Sequence, residues 1–373
     1  MINRSIKDSI LADYRRRKVI VLLGARQVGK TTLLSELHAG KSKVLSLNCD
    51  NIDDALTLEG RTSTELKNLL SNYELVFIDE AQRVKNIGLT LKMIGDLKLE
   101  TQVVVTGSSS LDMANEINEP ATGRLIEYNL FPFSLAELAA NSSEREENRL
   151  LERRMIYGLY PEVVTEPADA KRTLMTLTNN YLYKDLFTYR GIKKPDLIQK
   201  LVRALALQLG SEVSYNELSN LLGVDRTTIE TYINLLEKCF VVFRLDSFSR
   251  NLRNEIKKGK KVYFYDNGVR NAVLSNFAPL ELRTDTGALW ENLMVSERLK
   301  RNIYAANFAQ LFFWRTHEQQ EIDLIEEQNG LLQTFEFKWN RKAKSNQPKA
   351  FVAAYPNSTY QVITPDNYWS FVK

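Results

Sequence analysis

The run VIVLLGARQVGKTTLL occupies residues Val19–Leu34. Five β-branched or leucine residues lead into a loop with two glycines, and a lysine, two threonines and two leucines follow. Gly24, Gly29, Lys30 and Thr31 meet every fixed position of G-x-x-x-x-G-K-[ST]. A strand that enters a tight glycine loop lets successive backbone N–H groups converge on phosphate oxygens. The nucleotide-binding set read from this spacing is Gly24, Ala25, Arg26, Gln27, Val28, Gly29, Lys30, Thr31 and Thr32. Lys30 is expected to reach the β- and γ-phosphates, and the Thr31 hydroxyl to join the shell of a Mg²⁺ ion. A helix starting at Lys30 turns its positive end to the same anion. A glycine turn that binds nothing is the plainer reading, and it leaves four matched positions unexplained.

The totals bound the rest. At 373 residues the chain holds two or three domains, and 44% hydrophobic with 26% charged residues is a globular composition. A net charge of +4 does not by itself argue for nucleic acid, so that case rests on local clusters. Two cysteines, Cys49 and Cys239, and two histidines, His38 and His317, cannot assemble a zinc site. The cysteine usage suits a reducing compartment. Neither terminus reads as a signal peptide and no apolar run approaches membrane-spanning length, so the expectation is a cytoplasmic protein without membrane contact.

Downstream, Lys43–Asn48 reads as a strand, a helix is expected around Thr64–Leu70, and Glu74–Gln82 reads ELVFIDEAQ. Apolar residues ending in Asp-Glu describe a buried parallel strand opening onto a catalytic edge. Asp79 is expected to hold Mg²⁺ through water and Glu80 to orient or deprotonate the attacking water. The next strand, Gln102–Thr106, ends in TGSSS, where Thr106 or Ser108 can sense a γ-phosphate; a Gly/Ser turn is the alternative. In NEPATGRLIEYNLFP, the Gly123-Arg124 step precedes a further strand. Arg124 is the candidate arginine finger for a neighbouring subunit, against a plain surface arginine.

GARQVGKTT, VFIDEAQ, VVVTGSS and Gly123-Arg124, in that order, resemble an AAA-type P-loop ATPase over residues 1–140. More narrowly, nearly the whole chain resembles a prokaryotic family of such ATPases with a nuclease-like C-terminal domain. The resemblance implies ATP and Mg²⁺ as cofactors and a homo-oligomer, a hexamer-type ring being one form. Lys30, Glu80 and Arg124 would then carry the catalysis.

Residues 141–194 read as a helical lid or connector that opens with the charged EREENRLLERRM (Glu144–Met155). Over 195–270 the pattern changes. Leu197–Leu209 is amphipathic, Ser214 and Glu217 are spaced as a capping box, and the turn Gly223-Val224-Asp225 precedes a helix starting at Arg226. Two strands then flank the basic hairpin RNLRNEIKKGKK (Arg250–Lys261). This is winged-helix logic: Arg226, Thr227 and Thr228 would approach a groove while Arg253, Lys257, Lys258 and Lys260 hold phosphates. A protein-packing module is the alternative.

Residues 271–373 carry a long helix, a strand, EIDLI (Glu321–Ile325), the turn Gln328-Asn329-Gly330 and LLQTFEFKW (Leu331–Trp339). Strand alternation puts Asp323 on one face, and Glu336 with Lys338 on one face of the next strand. Two carboxylates on adjacent strands can bind a divalent cation and a lysine can activate water, with Glu291, or less favourably Glu297, as a further ligand. The set resembles the PD-(D/E)xK nuclease fold, whose members either cut DNA or only bind it. The expected whole is therefore α/β: a P-loop parallel sheet with helical lid, a winged helix, and a restriction-endonuclease-like domain. DNA is the expected partner. A nucleotide-dependent switch that docks a protein is the competing reading.

Overall fold

The computed structural model describes residues 2–38, 40–108, 123–182, 195–249, 259–316, 318 and 320–373. The chain divides into two compact units, Met1–Pro132 with Lys238–Phe240, and Phe133–Glu237 with Val241–Lys373.

The first unit is built on five parallel strands: β1 (Val19–Leu23), β2 (Val44–Asn48), β3 (Leu75–Asp79), β4 (Gln102–Gly107) and β5 (Leu125–Asn129). Their order across the sheet is β2-β3-β4-β1-β5. All five residues of β1 and all six of β4 are buried, as expected for apolar strands covered on both faces. Among the described residues five helices accompany them: α1 (Lys7–Asp13), α2 (Lys30–Leu37), α3 (Ile52–Leu58), α4 (Ser63–Leu70) and α5 (Ile87–Asp96). Leu58, Leu66, Leu70, Ile87, Leu91 and Ile94 pack with Val21, Leu23, Val76, Ile78, Val103 and Val105 in one core. Helix α4 starts where Thr62 and Glu65 form a reciprocal capping box. Helix α3, which the sequence reading does not include, is capped by Asn51 accepting from the Asp53 amide.

The second unit opens with α6 (Leu135–Asn141), α7 (Glu144–Tyr157), α8 (Pro161–Thr165) and α9 (Ala170–Thr176). Then come α10 (Pro195–Leu207), β6 (Glu212–Val213), α11 (Tyr215–Leu222), α12 (Arg226–Lys238), β7 (Val242–Ser247) and β8 (Lys260–Phe264). The remainder is α13 (Asn267–Val273), α14 (Thr286–Tyr304), β9 (Gln310–Arg315), β10 (Glu321–Gln328), β11 (Leu331–Phe337), α15 (Lys349–Ala354), β12 (Thr359–Ile363) and α16 (Trp369–Val372). Among the described residues seven strands form one sheet in the order β12-β11-β10-β9-β7-β8-β6. From α10 to β8 the described elements run helix, strand, two helices, two strands; the three helices and the last two strands were expected, and the short β6 was not. Of the expected capping box, Ser214 accepts from the Glu217 amide at 3.3 Å. The sheet does not break at residue 270, because β7 pairs in parallel with β9 through Asp246 and Phe312. The hairpin β10–β11 turns at Asn329 and Gly330, both in the left-handed region, as its Asn-Gly pair requires.

The charged helix α7 is not simply solvated. Glu147 and Arg154 are buried and joined twice, Arg154 Nε to Glu147 Oε2 at 2.9 Å and Arg154 Nη2 to Glu147 Oε1 at 3.0 Å. Breaking such a pair strands a charge in the interior. Arg154→Met is therefore expected to destabilise the second unit by about 3–5 kcal/mol, read as a lowered urea midpoint. Arg154→Met with Glu147→Leu should recover most of that loss, and a double variant as unstable as the single one would refute the argument.

Candidate functional site

The C-terminal edge of the first sheet collects the residues read from the motifs. Where β1 ends, a Cβ on Gly24 would lie 2.2 Å from the Leu130 carbonyl oxygen, so only glycine fits there. The loop closes at Gly29, and α2 begins with Lys30, whose side chain is buried. Lys30 Nζ donates to the carbonyl oxygens of Gly24, at 2.8 Å, and Ala25, at 2.9 Å. The ammonium thus folds back over the loop that phosphates would fill.

Thr31, the second residue of α2, donates from Oγ1 to Asp79 Oδ2 at 2.9 Å. Two motifs 48 residues apart are joined by this bond. Thr106, fully buried on β4, donates to the other Asp79 oxygen and accepts the Glu80 amide at 3.1 Å. Its hydroxyl is thereby committed to holding Asp79 and the start of the Glu80 turn, which leaves Ser108 as the better placed of the two sensor candidates. Glu80 itself stands at φ 52°, a strained conformation for a non-glycine residue. Gln82 Nε2 donates to Glu80 Oε2 and, at 3.0 Å, to Ser108 Oγ. Sequence reading did not single out Gln82; its place in the same DEAQ run was the available signal. A cleft of about 410 Å³ opens beside Thr31 and Asp79, lined also by His38, Asn48 and Phe77.

A hydroxyl and a carboxylate side by side are hard oxygen donors of the kind Mg²⁺ takes, so the residues present fit the ion. Bound there with a nucleotide, Mg²⁺ would neutralise charge on the phosphates. In that arrangement Lys30 would be the phosphate-binding cation, Thr31 and Asp79 would hold the ion, and Glu80 would orient water.

Arg124 lies elsewhere. Its carbonyl accepts the Val19 amide at 3.1 Å, which places it beside the first residue of β1, and its side chain pairs with Asp96. Five residues of β1, at about 3.3 Å each, separate it from its own phosphate loop.

Among the candidate DNA contacts, Arg226 and Thr227 are exposed at the start of α12. Thr228 is occupied: its amide and hydroxyl both donate to Asp225, each at 2.8 Å, in a helix cap. Lys260 pairs with Asp246 at 2.6 Å. Arg253, Lys257 and Lys258 lie outside the described residues.

In the second unit the structure does bring Glu291, Asp323, Glu336 and Lys338 near one another. Asp323 is buried and accepts the Phe337 amide at 2.8 Å, and Glu336 pairs with Lys338 at 2.7 Å. Burial first, then the neighbouring Glu291 carboxylate, pushes the Asp323 carboxyl well above the ordinary range, with Glu336 adding to the effect and Lys261 opposing it. Glu297 is not part of this group. It is buried on α14, accepts the Leu135 amide at 2.6 Å and pairs with Lys300 at 2.8 Å, so it serves the start of α6. The unforeseen member is Lys261, 1% exposed, which reaches Glu291 at 3.0 Å and Glu321 at 2.6 Å. Among the described residues no three His, Cys, Asp or Glu side chains are grouped to hold a metal ion, and no helix is long and apolar enough to cross a membrane.

Residues 16–139 match the family described as an AAA domain; residues 148–280 and 286–368 match two domains of unknown function, DUF8612 and DUF4143. A Mycobacterium tuberculosis protein described as uncharacterized is 27% identical over 328 residues, 87% of this chain and 70% of its own. Another, from Haemophilus influenzae, is 23% identical over 328 residues, 82% of this chain and 78% of its own. Among solved structures, a Walker-type ATPase of Pyrococcus abyssi aligns at a TM-score of 0.51 and 15% identity, over 74% of this chain and 96% of that one, a likeness of fold. Together with the phosphate loop and the Thr31–Asp79 pair, the family match makes residues 16–139 an AAA-type, ATPase-like domain.

Proposed function

We propose that the protein hydrolyses ATP with Mg²⁺ and uses the cycle to rearrange a homo-oligomer whose C-terminal half engages DNA. The observation that carries the ATPase part is the Thr31–Asp79 hydrogen bond, with Thr106 holding the same carboxylate and Glu80 next in the chain. Lys30 would leave the loop carbonyls for phosphate oxygens. Glu80, held by Gln82 at rest, would orient water against the terminal phosphate. The oligomer is supported by the place of Arg124, too far from its own loop to serve it. DNA is supported by the helix–turn–helix run α11–α12, with Arg226 and Thr227 exposed where the second helix begins. An ATP-gated nuclease is disfavoured by the ammonium of Lys261 among its acids.

A second reading, a nucleotide-dependent switch that docks a protein, is favoured by one feature: Lys260, Lys261 and Thr228 are spent on internal partners. ATP turnover with and without single-stranded, duplex and four-way-junction DNA separates the two. A several-fold stimulation that weakens steeply with salt is the expected result. Flat turnover, with no DNA binding in low salt, would exclude DNA and leave the switch.

A further inference from the structure

The carboxylates of the second unit invite a divalent cation, yet a cationic side chain of this same protein already sits against one of them, Glu291, and against the nearby Glu321. Lys261 enters from β8, whose two neighbouring lysines face opposite ways because strand side chains alternate. Lys260 goes outward to Asp246, whereas Lys261 goes inward, with 1% of its side chain exposed. Its ammonium sits 3.0 Å from Glu291 Oε1 on α14 and 2.6 Å from Glu321 Oε1 on β10. The same Glu291 oxygen also accepts the Tyr263 hydroxyl at 2.7 Å. Lys338 neutralises Glu336, and the Phe337 amide serves Asp323. Every carboxylate of the expected metal site therefore has a protein partner.

The geometry points to Lys261 as a built-in cation that replaces the divalent ion in this cluster, making the C-terminal domain a non-cleaving module with β8 tied to α14 and β10. A lone ammonium in the interior is costly to desolvate, and two carboxylates at hydrogen-bond distance are what make it tolerable. The same oxygens cannot also take Mg²⁺, which demands contacts of about 2.0–2.1 Å and keeps several waters. The inference is independent of ATP hydrolysis, since it concerns groups of the second unit alone.

The test uses the full chain without nucleotide, titrated with Mn²⁺ by electron paramagnetic resonance. Wild type and Asp323→Asn are expected to bind Mn²⁺ alike, because no site depends on Asp323. Lys261→Ala should gain about one Mn²⁺ per chain, and Lys261→Ala with Asp323→Asn should lose it again. A wild-type Mn²⁺ site that Asp323→Asn abolishes would overturn the inference, as would a folded Lys261→Ala that gains nothing. Should Lys261→Ala fail to fold, the first comparison still decides, together with DNA incubation in Mg²⁺ or Mn²⁺. Cleavage by wild type that Asp323→Asn lacks would also overturn it.

Discussion

Arg124→Ala is expected to lower ATP turnover by about 10³-fold or more, and mixing it with Lys30→Ala subunits is expected to restore part of the loss. The reason is position. Arg124 immediately precedes β5, beside Val19 and at the end of the sheet opposite the phosphate loop, so a role in hydrolysis has to be exerted on a neighbour's nucleotide. In mixed assemblies a Lys30→Ala subunit has no working loop but offers an intact Arg124 to an Arg124→Ala neighbour. Neither variant alone should turn over ATP at a useful rate; the mixture should. The plainer alternative is that Arg124 only pairs with Asp96, and Asp96→Ala distinguishes the two. Both partners are partly exposed, so the ion pair itself contributes at most about 1 kcal/mol. Asp96→Ala should leave turnover near wild type if Arg124 acts in trans, and should mimic Arg124→Ala if the pair is what matters. Failure of the mixture to recover would remove the finger assignment.

The uneven legibility of the chain has a physical cause. In the first unit Gly24, Asp79, Glu80, Thr106 and Ser108 sit at or just beyond the C-terminal ends of strands. An apolar run of three to five residues followed by Gly, Asp-Glu or Thr-Gly therefore announces both the element and its chemistry. The bonds among Thr31, Asp79 and Thr106 then follow from parallel strands ending at one edge. Gln82 was overlooked because its partners are set by the left-handed turn at Glu80, which no pattern of polarity signals. In the second unit, charge in the sequence misled. Lys261 is the last residue of a basic run that reads as wet, yet its partners Glu291 and Glu321 come from elements 30 and 60 residues onward, and only the fold brings them together. Glu147 and Arg154 are likewise buried within a helix whose sequence is dominated by charge. Asp323, Glu336 and Lys338 were legible because an Asn-Gly hairpin fixes their register; what lies opposite them was not. Thr228 shows the same limit on a smaller scale, since a residue counted as a DNA contact turned out to be the bonding partner of a capping aspartate.

Lys30→Ala and Glu80→Gln should separate binding from chemistry. Lys30 is the cation that the loop holds over its own carbonyls, ready for exchange with phosphate oxygens. Removing it deletes charge-assisted bonds worth about 1.5–3 kcal/mol apiece, so nucleotide affinity should fall by at least about 10²-fold. The lysine and its two carbonyl partners are buried, so unliganded Lys30→Ala should lose about 1–3 kcal/mol of stability and still fold. Thermal stabilisation by ATP gives the contrast. At one hundred times the wild-type Kd, ATP should add about 2.7 kcal/mol to wild type, and almost nothing to Lys30→Ala. Glu80→Gln keeps the loop, Thr31 and Asp79, so ATP should stabilise it as much as wild type. Its turnover should nevertheless drop by about 10²–10⁴-fold, because an amide in that place cannot take a proton from water. The substitution also perturbs the bond from Gln82, and Gln82→Ala is the control: with the carboxylate intact, its turnover should fall far less than that of Glu80→Gln. Wild-type affinity in Lys30→Ala, or wild-type turnover in Glu80→Gln, would mean that the nucleotide is handled by other residues than those at the end of β1 and β3.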